Sequence, residues 1–181
     1  MVYKVAGFEL QFKKDTNMNN AKKVAVRALL IALAMVLAYI ESMFQISAMV
    51  PGMKLGLTNI VVMVALYKID EKEAIIINIV RILLVGFTFG NMFSLAYSMA
   101  GGILSGAVMI AMKKMTKASI VTVSLLGGIF HNVGQIIVAM IVLQTHSLLY
   151  YLLVLWITGI VSGIVVGLLS AQIVKRLPDI K

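Results

Sequence analysis

From Ala118 to Val174 the chain reads ASIVTVSLLGGIFHNVGQIIVAMIVLQTHSLLYYLLVLWITGIVSGIVVGLLSAQIV, without one Lys, Arg, Asp or Glu. A bilayer-spanning helix needs about 20 mainly apolar residues. This stretch holds two of them, parted by the polar break Gln144-Thr-His-Ser147. A second uncharged run, Ile82–Met112, and a third, Ala28–Ile40, repeat the pattern further upstream. Hydrophobic residues make up 61% of the 181 residues, charged residues only 13%, and the mean hydropathy is +1.03. Soluble domains carry about a quarter charged residues. So few charges could not cover this much apolar surface in water, and the expected fold is an all-α integral membrane protein.

Working outward from those runs gives a bundle of six transmembrane helices. The expected spans are Lys23–Glu41, Leu57–Ile69, Ala74–Phe89, Met92–Met112, Ala118–Leu143 and Ser147–Val174. An irregular loop, Ser42–Gly56, separates the first two and contains Pro51 and Gly52. The second helix is short and is closed by Asp70, Glu71, Lys72 and Glu73, which read as a solvated turn. One membrane domain, 23–176, lies between a polar tail, 1–22, and a short end, 177–181. Met1–Asn20 lacks the apolar core and cleavage site of a secretory signal and reads as a flexible or interfacial tail.

The net charge of +9 would suit nucleic acid, but its distribution argues otherwise. Lys4, Lys13, Lys14, Lys22, Lys23 and Arg27 precede or open the first span. Lys68, Lys72, Lys113, Lys114 and Lys117 fall in the turns on that same side, and Lys175, Arg176 and Lys181 end the chain. The opposite side receives only Lys54. Basic residues gather on the cytoplasmic side of membrane proteins, so both termini are expected there. The charge is a topology signal, and no nucleic-acid partner is expected.

Small residues recur four apart: Ala21, Ala25, Ala28 and Ala32, then Ala34 and Ala38, Gly102 and Gly106, and Gly159, Gly163 and Gly167. Such spacing lets helix backbones approach closely in lipid, where van der Waals contact drives association. For the glycines this means packing within the bundle. For the alanines beside the basic end, a face for a partner is equally natural.

Ionisable and strongly polar groups at membrane depth are costly and need a reason. Arg81 sits near the middle of the third span, one turn after Asn78. His131, Asn132 and Gln135 cluster in the fifth, and Lys54 lies one turn before Thr58 and Asn59. These groups either fasten helices together or converge on an outward-opening cavity for a polar solute. Arg81 and Lys54 face only Glu41 as an outer acid, which favours an anionic carboxylate or phosphate. The outer turn Gly86-Phe-Thr-Phe-Gly90-Asn91, with Phe93 and Tyr97, adds Asn91 and aromatic surface near the same mouth. It reads equally as an interfacial aromatic belt.

Several chemistries are excluded or disfavoured. No Gly-x-x-x-x-Gly-Lys is present for nucleotide phosphates. No acidic cluster suits diphosphate–magnesium chemistry, no cysteine offers a thiolate, and two distant histidines make no metal site. Neither an enzyme activity nor a cofactor is expected. A channel or self-contained exchanger would need a polar path through the bundle, whereas these polar groups share one depth.

The segment Pro51-Gly-Met-Lys-Leu-Gly-Leu-Thr-Asn-Ile60 resembles the Pro-Gly-x-Lys-Leu-Gly-Leu-Ala-Asn signature of the Gx transporter family, also labelled heptaprenyl diphosphate synthase component I. That family is similar to the substrate-binding S components of energy-coupling factor (ECF) importers, six-helix proteins of bacterial cell membranes with an alanine-rich first helix. Thr58 departs from the signature's alanine. The resemblance implies capture of a small solute from outside, with the loop before helix two closing over it. A separate transmembrane scaffold (the T component) and an ATPase pair would supply the work. It also implies Lys54, Leu55, Gly56, Thr58 and Asn59 as loop and site residues, and Ala28 and Ala32 as the docking face. The family's other label implies a membrane subunit tied to heptaprenyl diphosphate or menaquinone side-chain synthesis.

Overall fold

The computed structural model of the chain describes residues 3–43 and 56–178, with side chains from Ala21 onward except Tyr151. Six helices follow one another: α1 (Tyr3–Met43), α2 (Asn59–Lys68), α3 (Glu71–Phe89), α4 (Met92–Met115), α5 (Ile120–Leu143) and α6 (Leu149–Arg176). No strand occurs among the described residues. Helices α3, α4 and α5 start where short polar side chains take up a free backbone donor. Asp70, Asn91 and Ser119 accept from the N–H groups of Glu73, Ser94 and Thr122 respectively.

Four helical stretches are long and apolar enough to cross a membrane: Ala21–Met43, Met92–Met115, Ile120–Leu143 and Leu152–Arg176. The chain is therefore a multi-pass membrane protein. Two of the six expected spans do not meet that criterion by themselves. Helix α2 has only 10 residues, and α3 carries Glu71, Lys72, Glu73 and Arg81. Helix α1 also differs from expectation, since its backbone is helical from Tyr3 rather than from Lys23. The sequence supplies the reason. No proline occurs between Tyr3 and Met43, and Gly7 is the single glycine, so nothing there stops the helix.

Helices α2, α3, α4, α5 and α6 pack in that order, and α6 returns against α2 to close the ring. Helix α1 lies against α3 and α2. The short α2 is the most enclosed element, with every residue from Ile60 to Leu66 buried. An element apolar all round belongs in such a position. The other helices turn large apolar side chains outward, among them Leu29, Phe93, Ile141 and Leu153. Lipid tails are as apolar as these side chains, so contact between helices depends on close fit. Gly163 and Gly167 of α6 show that fit. A methyl group at either would come within 2.7 and 2.8 Å of the α5 backbone at Leu125 and Val121.

The charged helix ends meet at one end of the bundle. Arg27 of α1 forms a double ion-paired hydrogen bond with Glu73 at the start of α3. Lys114 at the end of α4 pairs with Glu71 at 2.6 Å. Its neighbour Lys113 donates to the Leu66 carbonyl at 2.7 Å and lies over the Tyr67 ring. The acidic turn is thus only partly solvated. Asp70 is exposed, whereas Glu73 is buried because Arg27 reaches it from 46 positions away.

Candidate functional site

At the other end of the bundle, the chain enters α2 through a glycine in a conformation that suits glycine. Gly56 has φ of 70°, in the left-handed region that side chains disfavour. Its N–H donates to Glu41 Oε1, in the last turn of α1, at 2.8 Å. Thr58 then occupies the N-cap position of α2, yet its hydroxyl makes no capping bond. It accepts from Arg81 Nη1 at 2.6 Å instead.

Arg81 is 6% exposed and is surrounded by neutral oxygens. Asn59 Oδ1 accepts from Nη2 at 2.6 Å, and Asn78 Oδ1 accepts from Nη2 at 2.7 Å and Nε at 3.1 Å. The Asn78 amide is oriented from its other side, where Nδ2 donates to the Gly102 carbonyl of α4 at 3.0 Å. Four of the five guanidinium N–H bonds are thereby assigned, and no carboxylate is among the acceptors. Glu41 is the acid whose charge acts on Arg81.

Arg81, Thr58, Asn59 and Glu41 border a cavity of about 320 Å³, within the size range of small-molecule sites. Arg81, Thr58 and Asn59 form one wall; His131, Asn132 and Gln135 of α5 form another. Ser94 and Ser98 of α4, Ser162 of α6, and Glu41 and Ser42 of α1 add further polar groups. Ile82, Val85 and Phe89 supply an apolar side, and Phe89 packs against Tyr39 with ring centroids 6.1 Å apart. Asn132 has a second task. Its amide donates to the Leu155 carbonyl and fills the space beside Gly159, tying α5 to α6.

Six of the nine binding residues expected from sequence therefore meet around one cavity: Thr58, Asn59, Arg81, His131, Asn132 and Gln135. Asn78 is not on the cavity wall. It holds Arg81 and borders a separate apolar groove of about 250 Å³ between α2, α3 and α4. Asn91 also lies off the wall and caps α4. Lys54 and Leu55 lie outside the described residues. Phe93 points away at 61% exposure, and among the aromatics of that turn it is Phe89 that reaches the cavity. Glu41, expected as the one acid near Arg81, borders the cavity, and Ser94, Ser98 and Ser162 are lining residues that the sequence reading did not place in the site. The spacing of Ser94 and Ser98, four apart on one helix face, was the available signal. No group of three or more metal-ligating side chains occurs among the described residues.

Ala28 and Ala32, the expected docking pair, are exposed on α1, whereas Ala34 and Ala38 are buried against the bundle. The two alanine stripes of this helix thus face different ways.

Fold and cavity together define a multi-pass helical membrane protein with a polar, arginine-bearing pocket at the end away from its basic helix termini. Residues 30–173 match the family described as heptaprenyl diphosphate synthase component I, and the chain belongs to that family. The matched stretch includes every described residue that borders the cavity, and it starts just after Ala28. Comparison with curated proteins and with solved structures gave no match.

Proposed function

We propose that the chain is the substrate-binding S component of an ECF-type importer in a bacterial cell membrane. In this reading all six helices serve as membrane elements, and both termini are cytoplasmic because the basic ends gather there. The chain captures a small anionic solute from outside and has no catalytic role of its own. The observation that carries this reading is the buried Arg81, held by Thr58, Asn59 and Asn78 beside a cavity of about 320 Å³. A membrane protein keeps a buried charge where it has a use. Thr58, Asn59, Arg81, His131, Asn132 and Gln135 are the proposed ligand contacts, joined by Lys54 on the strength of its motif. Asn78 acts through Arg81.

The exposed Ala28 and Ala32 are proposed as the face for the membrane scaffold, which works with an ATPase pair. Affinity purification of the tagged chain from its native membrane tests this. The scaffold and two ATPases should co-purify with the wild type and be lost in the Ala28→Leu/Ala32→Leu double variant. Recovery of no ATPase with the wild type would overturn the importer reading.

The family's description favours a second reading, a non-catalytic membrane subunit tied to heptaprenyl diphosphate or menaquinone side-chain synthesis. Its mark would be co-purification of a soluble prenyltransferase whose activity rises when this chain is added.

A further inference from the structure

Among the described residues that border the cavity, the formal charges cancel: Arg81 contributes one positive charge and Glu41 one negative. The two groups are available to different degrees. Arg81 spends four of its N–H bonds on neutral oxygens of Thr58, Asn59 and Asn78. It presents one fixed positive charge and little unused hydrogen-bonding capacity. Thr58 extends that capacity, because a hydroxyl accepting from a guanidinium can donate its own O–H in a hydrogen bond to an anion. Glu41 engages the Gly56 N–H at 2.8 Å, its described hydrogen bond, which leaves acceptor capacity on an ionised carboxylate.

A multiply charged ligand is poorly served by this arrangement. Among the described lining residues, a diphosphate would bring two or more negative charges to one cation and would stand beside a carboxylate of its own sign. A simple monoanion would satisfy Arg81 and meet repulsion from Glu41. Unpaired or like charges in a desolvated site act against such ligands. The arrangement suits a molecule that carries both signs.

We propose that the cavity selects a small zwitterion of the amino-acid class, with its anionic group at Arg81 and Thr58 and its protonated amine at Glu41. The apolar side made by Ile82, Val85 and Phe89 takes an organic side chain, and Gln135, Ser94 and Ser98 are placed for its polar substituents. This inference rests on the binding-subunit reading above and sharpens its solute from a simple anion to one that carries an anionic group and an amine.

The test uses the full chain in lipid nanodiscs and three probes read by thermal stabilisation. They are a pool of the twenty free amino acids, a pool of their N-acetyl derivatives, and inorganic pyrophosphate. The N-acetyl pool keeps the carboxylate and removes the ammonium. Free amino acids should stabilise the wild type at concentrations about tenfold lower than the N-acetyl pool, and pyrophosphate should have no effect. Glu41→Gln, whose amide oxygen still accepts from Gly56, should weaken the free amino acids about tenfold and strengthen the N-acetyl pool. A merely structural Glu41 would not give these opposite signs. Equal responses to both pools in the wild type and Glu41→Gln would overturn the zwitterion and leave an anion-binding subunit in place. Stabilisation by pyrophosphate that disappears in Arg81→Gln would do the same and favour a phosphorylated solute. No response to any probe would also overturn the zwitterion, while the importer reading would still stand or fall on the co-purification experiment.

Discussion

Helix α3 buries two charged side chains about 12 Å apart along its axis, and their surroundings are of opposite kinds. Glu73, in the first turn, is matched by a full charge. Arg27 grips it with two hydrogen bonds, and Asp70 caps the same turn. Arg81, two turns on, gives its hydrogen bonds to neutral oxygens, those of Thr58, Asn59 and Asn78, and it shares the border of an open cavity with Glu41. A closed ion pair is complete within the protein, so its use is to hold α1 on α3. A cation balanced by neutral oxygens keeps its field, and that field can act on a ligand. One helix thus carries a fastening in its first turn and, near its middle, a cation that borders open space.

This contrast yields predictions that rank by size. The largest expected effect is at the fastening. Arg27→Ala leaves the Glu73 carboxylate buried without its paired cation, so the midpoint of thermal unfolding in detergent should fall by several degrees. The Arg27→Ala/Glu73→Gln double variant should recover part of that loss, since the stranded charge is gone. No recovery would mean that the pair is not closed as described.

A smaller loss is expected at Asn78, which serves the site from behind. Asn78→Leu removes two contacts to Arg81 and the link to the Gly102 carbonyl, which leaves buried donors unmet at a cost of about 1–3 kcal/mol. Stability should drop and ligand affinity should drop with it, because Arg81 is no longer oriented. A stability loss with affinity per folded molecule intact would make Asn78 a helix fastener only.

The smallest effect belongs to Glu71, whose partner Lys114 has a side chain 59% exposed. Glu71→Gln should change stability by less than about 1 kcal/mol, and less still at high salt. A change as large as that of Arg27→Ala would remove the distinction between the buried and the solvated pair on this end of the bundle.

The physical reasons for what was legible in the sequence differ between the two ends of α3. Long uncharged runs marked α4, α5 and α6, since few other environments tolerate them. The brevity of α2 was legible in the charges that follow Ile69. Arg81 stood out because a lone charge within an apolar run calls for an explanation. Its partners Thr58 and Asn59, 23 and 22 positions earlier, came from the Lys54-to-Asn59 motif and not from periodicity. Pairing between helices has no signature in spacing, and this is why Glu73 was read as part of a solvated turn. The ion pair forms only when α1 returns along α3. Asn91 caps α4, as an Asn just before a helix commonly does, and a place at a polar turn does not separate that task from a ligand contact. The early start of α1 follows from the absence of helix breakers after Tyr3, a signal that the polarity of this stretch masks.

Native mass spectrometry of the purified wild type and Arg81→Gln, alongside their thermal unfolding, tests the central claim most directly. A charge-assisted contact in a buried site is worth about 1.5–3 kcal/mol, which corresponds to about tenfold or more in affinity. The wild type should therefore retain a small molecule that Arg81→Gln has lost, with both proteins inserted and their unfolding midpoints close together. Retention of the same molecule by both, with a markedly lower midpoint for Arg81→Gln, would contradict the account and make Arg81 a second fastening of α3.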